Sequence, residues 1–396
     1  MIRQVYIRNY KSIGQACVTL EGITVLVGQN GAGKSNFVDA LSFVTDVLKD
    51  GLDLAFKNRG GIGAVRRRSG GHPNHIEIRL GIELEKDISA EYSFKIAAKP
   101  GERYGIAEEN CAVHRLLKRE DVFQVKDGKF TKEIPGIKPK IEPDRLALFA
   151  SSATEEFRPV YDFLTAMRFY SIVPSRIREL QDPDPGESLK RDGSNAAAVL
   201  KHIAESSSNR NGHYERLCRL LSKVVPGISG AQYHTMGQKE TIRFKQNVGL
   251  KYPWMFDALN MSDGTLRLLG ILLAVYQPSV PTLIAIEEPE ATVHPGITDV
   301  LVDVLWEGSK RSQILLTTHS PDILDHKHIR DDQIRVVSSQ KGETTISPLA
   351  ESSRKAIRNE LYTPGELLRN DELVPDLTAA RKAAFQSSFL ESRKEE

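Results

Sequence analysis

The chain has 396 residues, 40% of them hydrophobic and 27% charged, with a formal net charge of +2. This fits a globular protein of more than one lobe and excludes a whole-molecule field that attracts nucleic acid, so any basic surface must be a local patch. No run approaches the roughly 18 apolar residues of a membrane span, and the start, Met-Ile-Arg-Gln-Val-Tyr-Ile-Arg, has no apolar h-region, so a cytoplasmic protein without membrane contact is expected.

In chain order, residues 2 to 8 alternate as a strand, 16 to 20 read as a second, and 23 to 27 as a third that is apolar on both faces. This third strand runs into Gly28-Gln29-Asn30-Gly31-Ala32-Gly33-Lys34-Ser35-Asn36, a match to Gly-x-x-x-x-Gly-Lys-Ser, and a helix follows to about residue 49. Gly28, Gly31 and Gly33 suit a loop that must approach phosphates closely, and the N–H groups of Asn30, Gly31, Ala32 and Gly33 with the helix start make an anion cradle. Lys34 is expected at the β- and γ-phosphates of ATP, and the Ser35 hydroxyl on the bridging Mg2+.

Residues 50 to 74, with Gly51, Gly60, Gly61, Gly63, Gly70 and Gly71 among Lys57, Arg59, Arg66, Arg67 and Arg68, read as a glycine-rich basic loop able to follow a DNA backbone. Strand patterns at 75 to 84, 91 to 97, 104 to 114 and 122 to 125 predict an antiparallel meander. A helix over 154 to 167 and a strand over 169 to 173 follow. The proline-rich 174 to 193 reads as a linker or an ordered crossing loop. Helices are expected at 195 to 204 and 214 to 225, then a hairpin over 228 to 248. From Gly264 the order becomes helix, strand (282 to 286), helix (296 to 305), strand (313 to 317), then two more strands, the alternation of a mostly parallel sheet flanked by helices. Cys17, Cys111 and Cys218 have no Cys-x-x-Cys spacing, which points to packing rather than a disulfide or zinc frame.

Two strand ends carry chemistry. Leu283-Ile284-Ala285-Ile286 ends in Glu287-Glu288, and a buried parallel strand delivers its last residues to the edge where ligands bind. Glu287 is then placed to hold Mg2+ through water and Glu288 to polarise the attacking water, against the plainer reading of a solvated strand end. Ile314-Leu315-Leu316-Thr317-Thr318 ends in His319, either a structural histidine or a contact to the γ-phosphate; Ser320 reads as the cap of a short helix opened by Pro321. Ser262-Asp263-Gly264 is either a plain N-cap or an anion site, Ser262 and Gly264 serving a phosphate held by another subunit.

Taken in order, Gly28 to Ser35, Ser262-Asp263-Gly264, Glu287-Glu288 and His319 resemble the Walker A, signature, Walker B and H-loop of ABC-type ATPases. Asn9-Tyr10-Lys11-Ser12-Ile13, Ile-Glu-Glu-Pro-Glu, Val293-His294-Pro295 and Thr-Thr-His-Ser-Pro resemble the RecF/SMC-like branch, and within it the ATPase half of OLD-family proteins and related stand-alone AAA-family ATPases. Glu287 stands where ABC proteins usually have aspartate, and Asp263 replaces the middle glycine of Ser-Gly-Gly. The turn at Pro174, Ser175 and Arg176 is a candidate Q-loop region only.

The resemblance implies a P-loop NTPase fold of ABC type with an antiparallel β subdomain and a helical lid insertion. Four segments are expected: core with Walker A over 1–50, basic loop and β subdomain over 51–150, lid over 151–255, and core with signature, Walker B and H-loop over 256–396. It implies a Mg2+-dependent ATP hydrolase, with Glu288, His319 and Lys34 catalytic, that works as a head-to-tail homodimer or higher oligomer with ATP sandwiched between subunits. OLD proteins carry a C-terminal TOPRIM nuclease; no Asp-x-Asp follows His319, so any nuclease or toxin activity is expected from a separate effector chain, as in two-component phage defence. A DNA-binding repair ATPase is the alternative, and a transporter subunit the least favoured, given the long stretch between Lys34 and Ser262.

Overall fold

The computed structural model describes residues 1–68, 75–85, 87–99, 103–116, 120–132, 140–205, 212–249 and 251–392. They form two compact units, one of Met1–Met167, Asp331–Tyr362 and Asn370–Glu396, the other of Arg168–Arg330 and Thr363–Arg369.

The first unit contains a seven-stranded antiparallel sheet, in the order Ile13–Thr19, Ile2–Tyr10, Ile76–Glu85, Ile88–Lys99, Arg103–Arg115, Asp121–Lys126 and Lys129–Lys132. Period-two alternation builds it: Ile88–Lys99 buries Ala90, Tyr92, Phe94, Ile96 and Ala98 on one face. The meander gains a last strand that the sequence reading did not include, turned back by Asp127 and Gly128, both at positive φ.

Beside this sheet in the same unit, Ile23–Val27 is buried at every residue and runs parallel to Ile334–Gln340, which pairs antiparallel with Glu343–Pro348. Helix Lys34–Asp50 buries Phe37, Val38, Ala40, Leu41, Phe43, Val44, Val47 and Leu48, so it is covered over most of its circumference rather than along one stripe.

Two expectations change here. The predicted basic loop is mostly helix, Leu52–Lys57 and Ile62–Val65, because Leu52, Ala55, Phe56, Ile62 and Val65 are buried and Gly51 and Gly61 turn the chain at positive φ before each helix. Its Gly70 and Gly71 lie outside the described residues. The helix expected over 154 to 167 is shorter, Arg158–Thr165, with Pro159 at its start, the one place a helix accepts it, and a separate short helix, Ala147–Ser151, precedes it. The last described helix is Leu377–Ser392, whose Ala384 carbonyl accepts from Gln15 Nε2 at 2.9 Å; Arg393 to Glu396 lie outside the described residues.

The second unit contains three parallel strands, Leu283–Glu287 lying between Arg168–Tyr170 and Gln313–Thr318. Helix Asp263–Tyr276 is buried along almost its whole length, and helix Thr298–Gly308 lies between strands Leu283–Glu287 and Gln313–Thr318 in the chain. Helices Ala196–Glu205 and His213–Val224 accompany an antiparallel sheet of Ile228–Met236, Lys239–Gln246 and Trp254–Asp257, the third strand being additional to the predicted hairpin. The stretch after Pro174 is a short helix, Pro174–Arg178, and then an ordered crossing: Asp184 accepts from the Gly186 N–H and from Asn195 Nδ2, both at 2.9 Å. No described helix is long and apolar enough to cross a membrane.

Candidate functional site

The glycine loop is shaped by what lies against it. A Cβ on Gly28 would fall on the Val337 carbonyl oxygen and one on Gly33 on the Thr344 hydroxyl, so both positions need glycine; Gly31 and Gly33 also have φ of 76° and 105°. Lys34 is 5% exposed, its Nζ donating to the carbonyls of Gly28 at 2.7 Å and Gln29 at 3.2 Å. Asn30, Gly31 and Ser35 are exposed, Ala32 is buried and Asn36 half-buried. Asn36 Nδ2 donates to Ser12 Oγ at 2.6 Å, Ser12 shares a 2.7 Å hydrogen bond with Thr344 Oγ1, and Thr344 donates to the Ala32 carbonyl at 2.8 Å. This chain of hydroxyls ties the loop to the Asn9–Ile13 turn, where Asn9 and Lys11 have φ of 57° and 47°.

Asp39, one turn into the helix, takes hydrogen bonds or ion pairs from Tyr10, Lys11 and Arg59 within 3.0 Å. Burial pushes its carboxyl upward, but the Arg59 guanidinium and the hydrogen bonds from Lys11 and Tyr10 leave it below the ordinary range. Arg59 also pairs with Asp46 at 2.6 Å, and Arg67 donates to the Ser12 carbonyl at 2.8 Å and pairs with Glu343 at 3.2 Å. These two basic side chains, which the alternative reading offers for contact with DNA, are committed within the fold; Lys57 and Arg68 are exposed.

In the second unit, register places Glu287 opposite Thr317. Glu287 Oε1 is 3.2 Å from Arg191 Nη2, a partner that nothing in the sequence pattern flagged. Glu288 has φ 44°, rare for a residue with a side chain, and its N–H is held by Thr317 O at 3.0 Å and Thr317 Oγ1 at 3.2 Å. His319 Nδ1 lies 3.8 Å from Glu288 Oε1 and 4.0 Å from Glu290 Oε1, near both carboxylates without a hydrogen bond to either. Glu290, 11% exposed at its side chain, accepts from Thr318 Oγ1 at 2.6 Å and from the His319 N–H at 3.3 Å. The second unit therefore gathers Glu287, Glu288, Glu290 and His319 at the ends of two adjacent strands.

Ser262 is the N-cap of its helix, Oγ accepting from the Thr265 N–H at 3.3 Å. Asp263 pairs with Arg178, which also donates to the Met261 carbonyl at 3.0 Å. Gly264 packs directly on the next loop, where a Cβ would lie 2.7 Å from Thr292 O. Ser320 occupies the N-cap position of Pro321–Leu324 without a side-chain capping bond; its N–H donates to Thr318 Oγ1 at 2.9 Å. The glutamine closest after the candidate Q-loop turn, Gln181, is buried, and its side chain bonds the backbone of Arg176, Ile177 and Ala197.

Comparison with known proteins agrees with this architecture. The chain is 24% identical over 412 residues to the Old nuclease of Escherichia phage P2, across 94% of this chain and 66% of that protein's length. An SMC head solved with the C-terminal winged-helix domain of ScpA superposes with a TM-score of 0.56 at 15% identity, covering 89% of this chain and 99% of that one. The Smc head with an extended coiled coil from Pyrococcus furiosus, bound to the C-terminal domain of ScpA, gives 0.53 at 13% identity over 91% and 99%. A family model described as "AAA domain, putative AbiEii toxin, Type IV TA system" matches residues 23–136 and 169–325. That match takes in more than half of the chain, which therefore belongs to this family and has the fold of a P-loop ATPase of the ABC, SMC and OLD type.

Proposed function

We propose that the chain binds and hydrolyses ATP with Mg2+ and uses the cycle as a switch on a partner effector. The observation that carries the reading is the loop Gly28–Ser35: two glycines that admit no Cβ, a left-handed Gly33 before the helix, and Lys34 held on the loop carbonyls. Backbone N–H groups and a helix start converge there as they do on phosphates.

The Ser35 hydroxyl and the Glu287 carboxylate are hard oxygen donors of the kind Mg2+ takes, the carboxylate acting through water. Mg2+, when bound, neutralises charge on the phosphates. Lys34 holds the β- and γ-phosphates, Glu288 accepts the proton of the attacking water, and His319 contacts the γ-phosphate. Ser262 and Gly264 face the nucleotide of a second copy, so ATP favours a dimer because it binds that state better.

Similarity to a phage Old nuclease and to a family whose description includes a toxin supports a role in antiviral defence with a nuclease or toxin as effector. The same reading puts this work in the cytosol.

Titration with labelled ATP tests the core of the reading. Lys34→Ala is expected to lose binding; undiminished affinity overturns it. Sedimentation of Glu288→Gln tests the switch: Mg-ATP should convert it to a dimer, and an unchanged sedimentation coefficient counts against the sandwich.

A further inference from the structure

Arg267 lies in the second turn of helix Asp263–Tyr276, just behind the Ser262-Asp263-Gly264 start. Its Nη1 donates to the backbone carbonyl of Glu288 at 3.3 Å, and its buried Nε has no hydrogen-bond partner among the described residues. Glu290 Oε2 is likewise buried and unpartnered. Burial lowers the Arg267 guanidinium below its ordinary value against the attraction of Glu288, Glu290 and Asp263, so one cation is subject to both the strand end and the helix start. A guanidinium does not discharge at physiological pH, and half-burying one is costly unless its geometry is used.

Glu288 needs a clamp. A left-handed backbone is strained for a residue with a side chain, and it persists only where the surroundings over-determine it. Thr317 holds its N–H and Arg267 its carbonyl, so the peptide is fixed from both sides. The same helix start meets the same loop again where Gly264 packs on the Thr292 carbonyl, Thr292 itself having φ 65°. A shift of the helix start must therefore pull on the backbone that aims the Glu288 carboxylate.

We infer that Arg267 is a positioning residue for hydrolysis: it transmits the position of the Ser262–Gly264 helix start to the Glu288 backbone, so that an anion engaged at the helix start sets the aim of the base. This rests on the proposed reading of the chain as an ATP hydrolase with Glu288 as base.

The test compares the full chain with Arg267→Ala, Arg267→Lys and Thr317→Val for ATP affinity, kcat, KM and melting temperature. Arg267→Ala is expected to lower kcat on the order of 10- to 100-fold through misalignment, with ATP affinity and KM held within about twofold. Arg267→Lys, which keeps charge and donor, should recover part of kcat. Thr317→Val, which removes the hydroxyl contact to the Glu288 N–H and leaves the Thr317 carbonyl in place, should show a smaller loss of the same kcat-only kind, and it carries the test if Arg267→Ala does not fold. The inference is overturned if Arg267→Ala keeps the parent kcat, or if kcat and ATP affinity fall together in all three variants. A parent that hydrolyses ATP while Arg267→Ala matches it removes only this inference; a parent that neither binds nor hydrolyses ATP removes the proposed function beneath it.

Discussion

The Tyr92 hydroxyl donates to the Glu109 carboxylate at 3.0 Å inside the seven-stranded sheet, where Glu109 is fully buried. The same carboxylate accepts the N–H groups of Ala147 at 2.5 Å and Leu148 at 2.8 Å, so it caps the start of helix Ala147–Ser151 from a neighbouring strand. Burial pushes its pKa up to about 7, while the three donors favour the ionised form and oppose a larger rise.

The pH dependence follows from this pair. A carboxyl raised in the folded state binds its proton more tightly folded than unfolded, so its contribution to stability is full below the unfolded value, near 4.5, and is lost as pH rises through about 7. Urea unfolding at pH 5.5 and 8.5 should therefore show the parent losing about 1–3 kcal/mol relative to Glu109→Gln across that window. A difference between the two proteins that stays constant with pH would refute the assignment.

Thr344 offers a separate handle on the nucleotide loop. Thr344→Val keeps the shape beside Gly33 but leaves the buried Ala32 carbonyl without its donor, a loss of about 1–3 kcal/mol. The KM for ATP should rise by roughly 5- to 160-fold, the range that energy spans, with kcat nearly unchanged. Steady-state kinetics at saturating Mg2+ checks it, and a loss confined to kcat would contradict the argument.

On the proposed reading of Glu287 as the carboxylate that serves Mg2+, its ion pair with Arg191 competes with the metal. The pair is partly exposed, so it is worth at most about 1 kcal/mol, and Arg191→Ala should lower the Mg2+ concentration that half-saturates hydrolysis by about two- to fivefold. A Mg2+ titration at fixed ATP reads this directly. An unchanged or higher requirement would mean that Glu287 is not the carboxylate that serves the metal.

Gly28 and Gly31 should respond differently to alanine. Gly28→Ala drives a methyl into a backbone carbonyl of strand Ile334–Gln340, which cannot move aside, and should cost more than about 2 kcal/mol. Gly31→Ala meets open space and carries only the left-handed backbone cost of about 1–2 kcal/mol. Urea midpoints of the two variants should rank in that order.

Much of this was legible in the residues themselves. The glycine motif and the two apolar strands ending in Glu287 and Thr318 announce themselves because a strand buried on both faces must be apolar throughout, which makes its polar terminus conspicuous. What stayed hidden depends on distant partners. Thr344 sits in an ordinary alternating strand, Glu109 is one polar residue among many on a long strand, and Arg191 lies in a charged crossing loop; each acquires its role only when a segment remote in sequence arrives beside it. The basic loop was misread for the same reason. Its glycines dominate the local pattern, while the burial of Leu52, Phe56, Ile62 and Val65 that makes it helical depends on the rest of the unit. The Lys129–Lys132 strand did carry a local signal, Asp127-Gly128, which marks a tight hairpin.

The Val337 carbonyl and the Thr344 hydroxyl that mould the glycine motif come more than 300 residues after it in the chain. A nascent polypeptide that has left the ribosome only as far as His319 contains the entire motif but neither of the groups that give it its shape. On the proposed reading of this loop as an ATP site, its shape is complete only once the final strands pair, so a half-made chain lacks the groups that mould it.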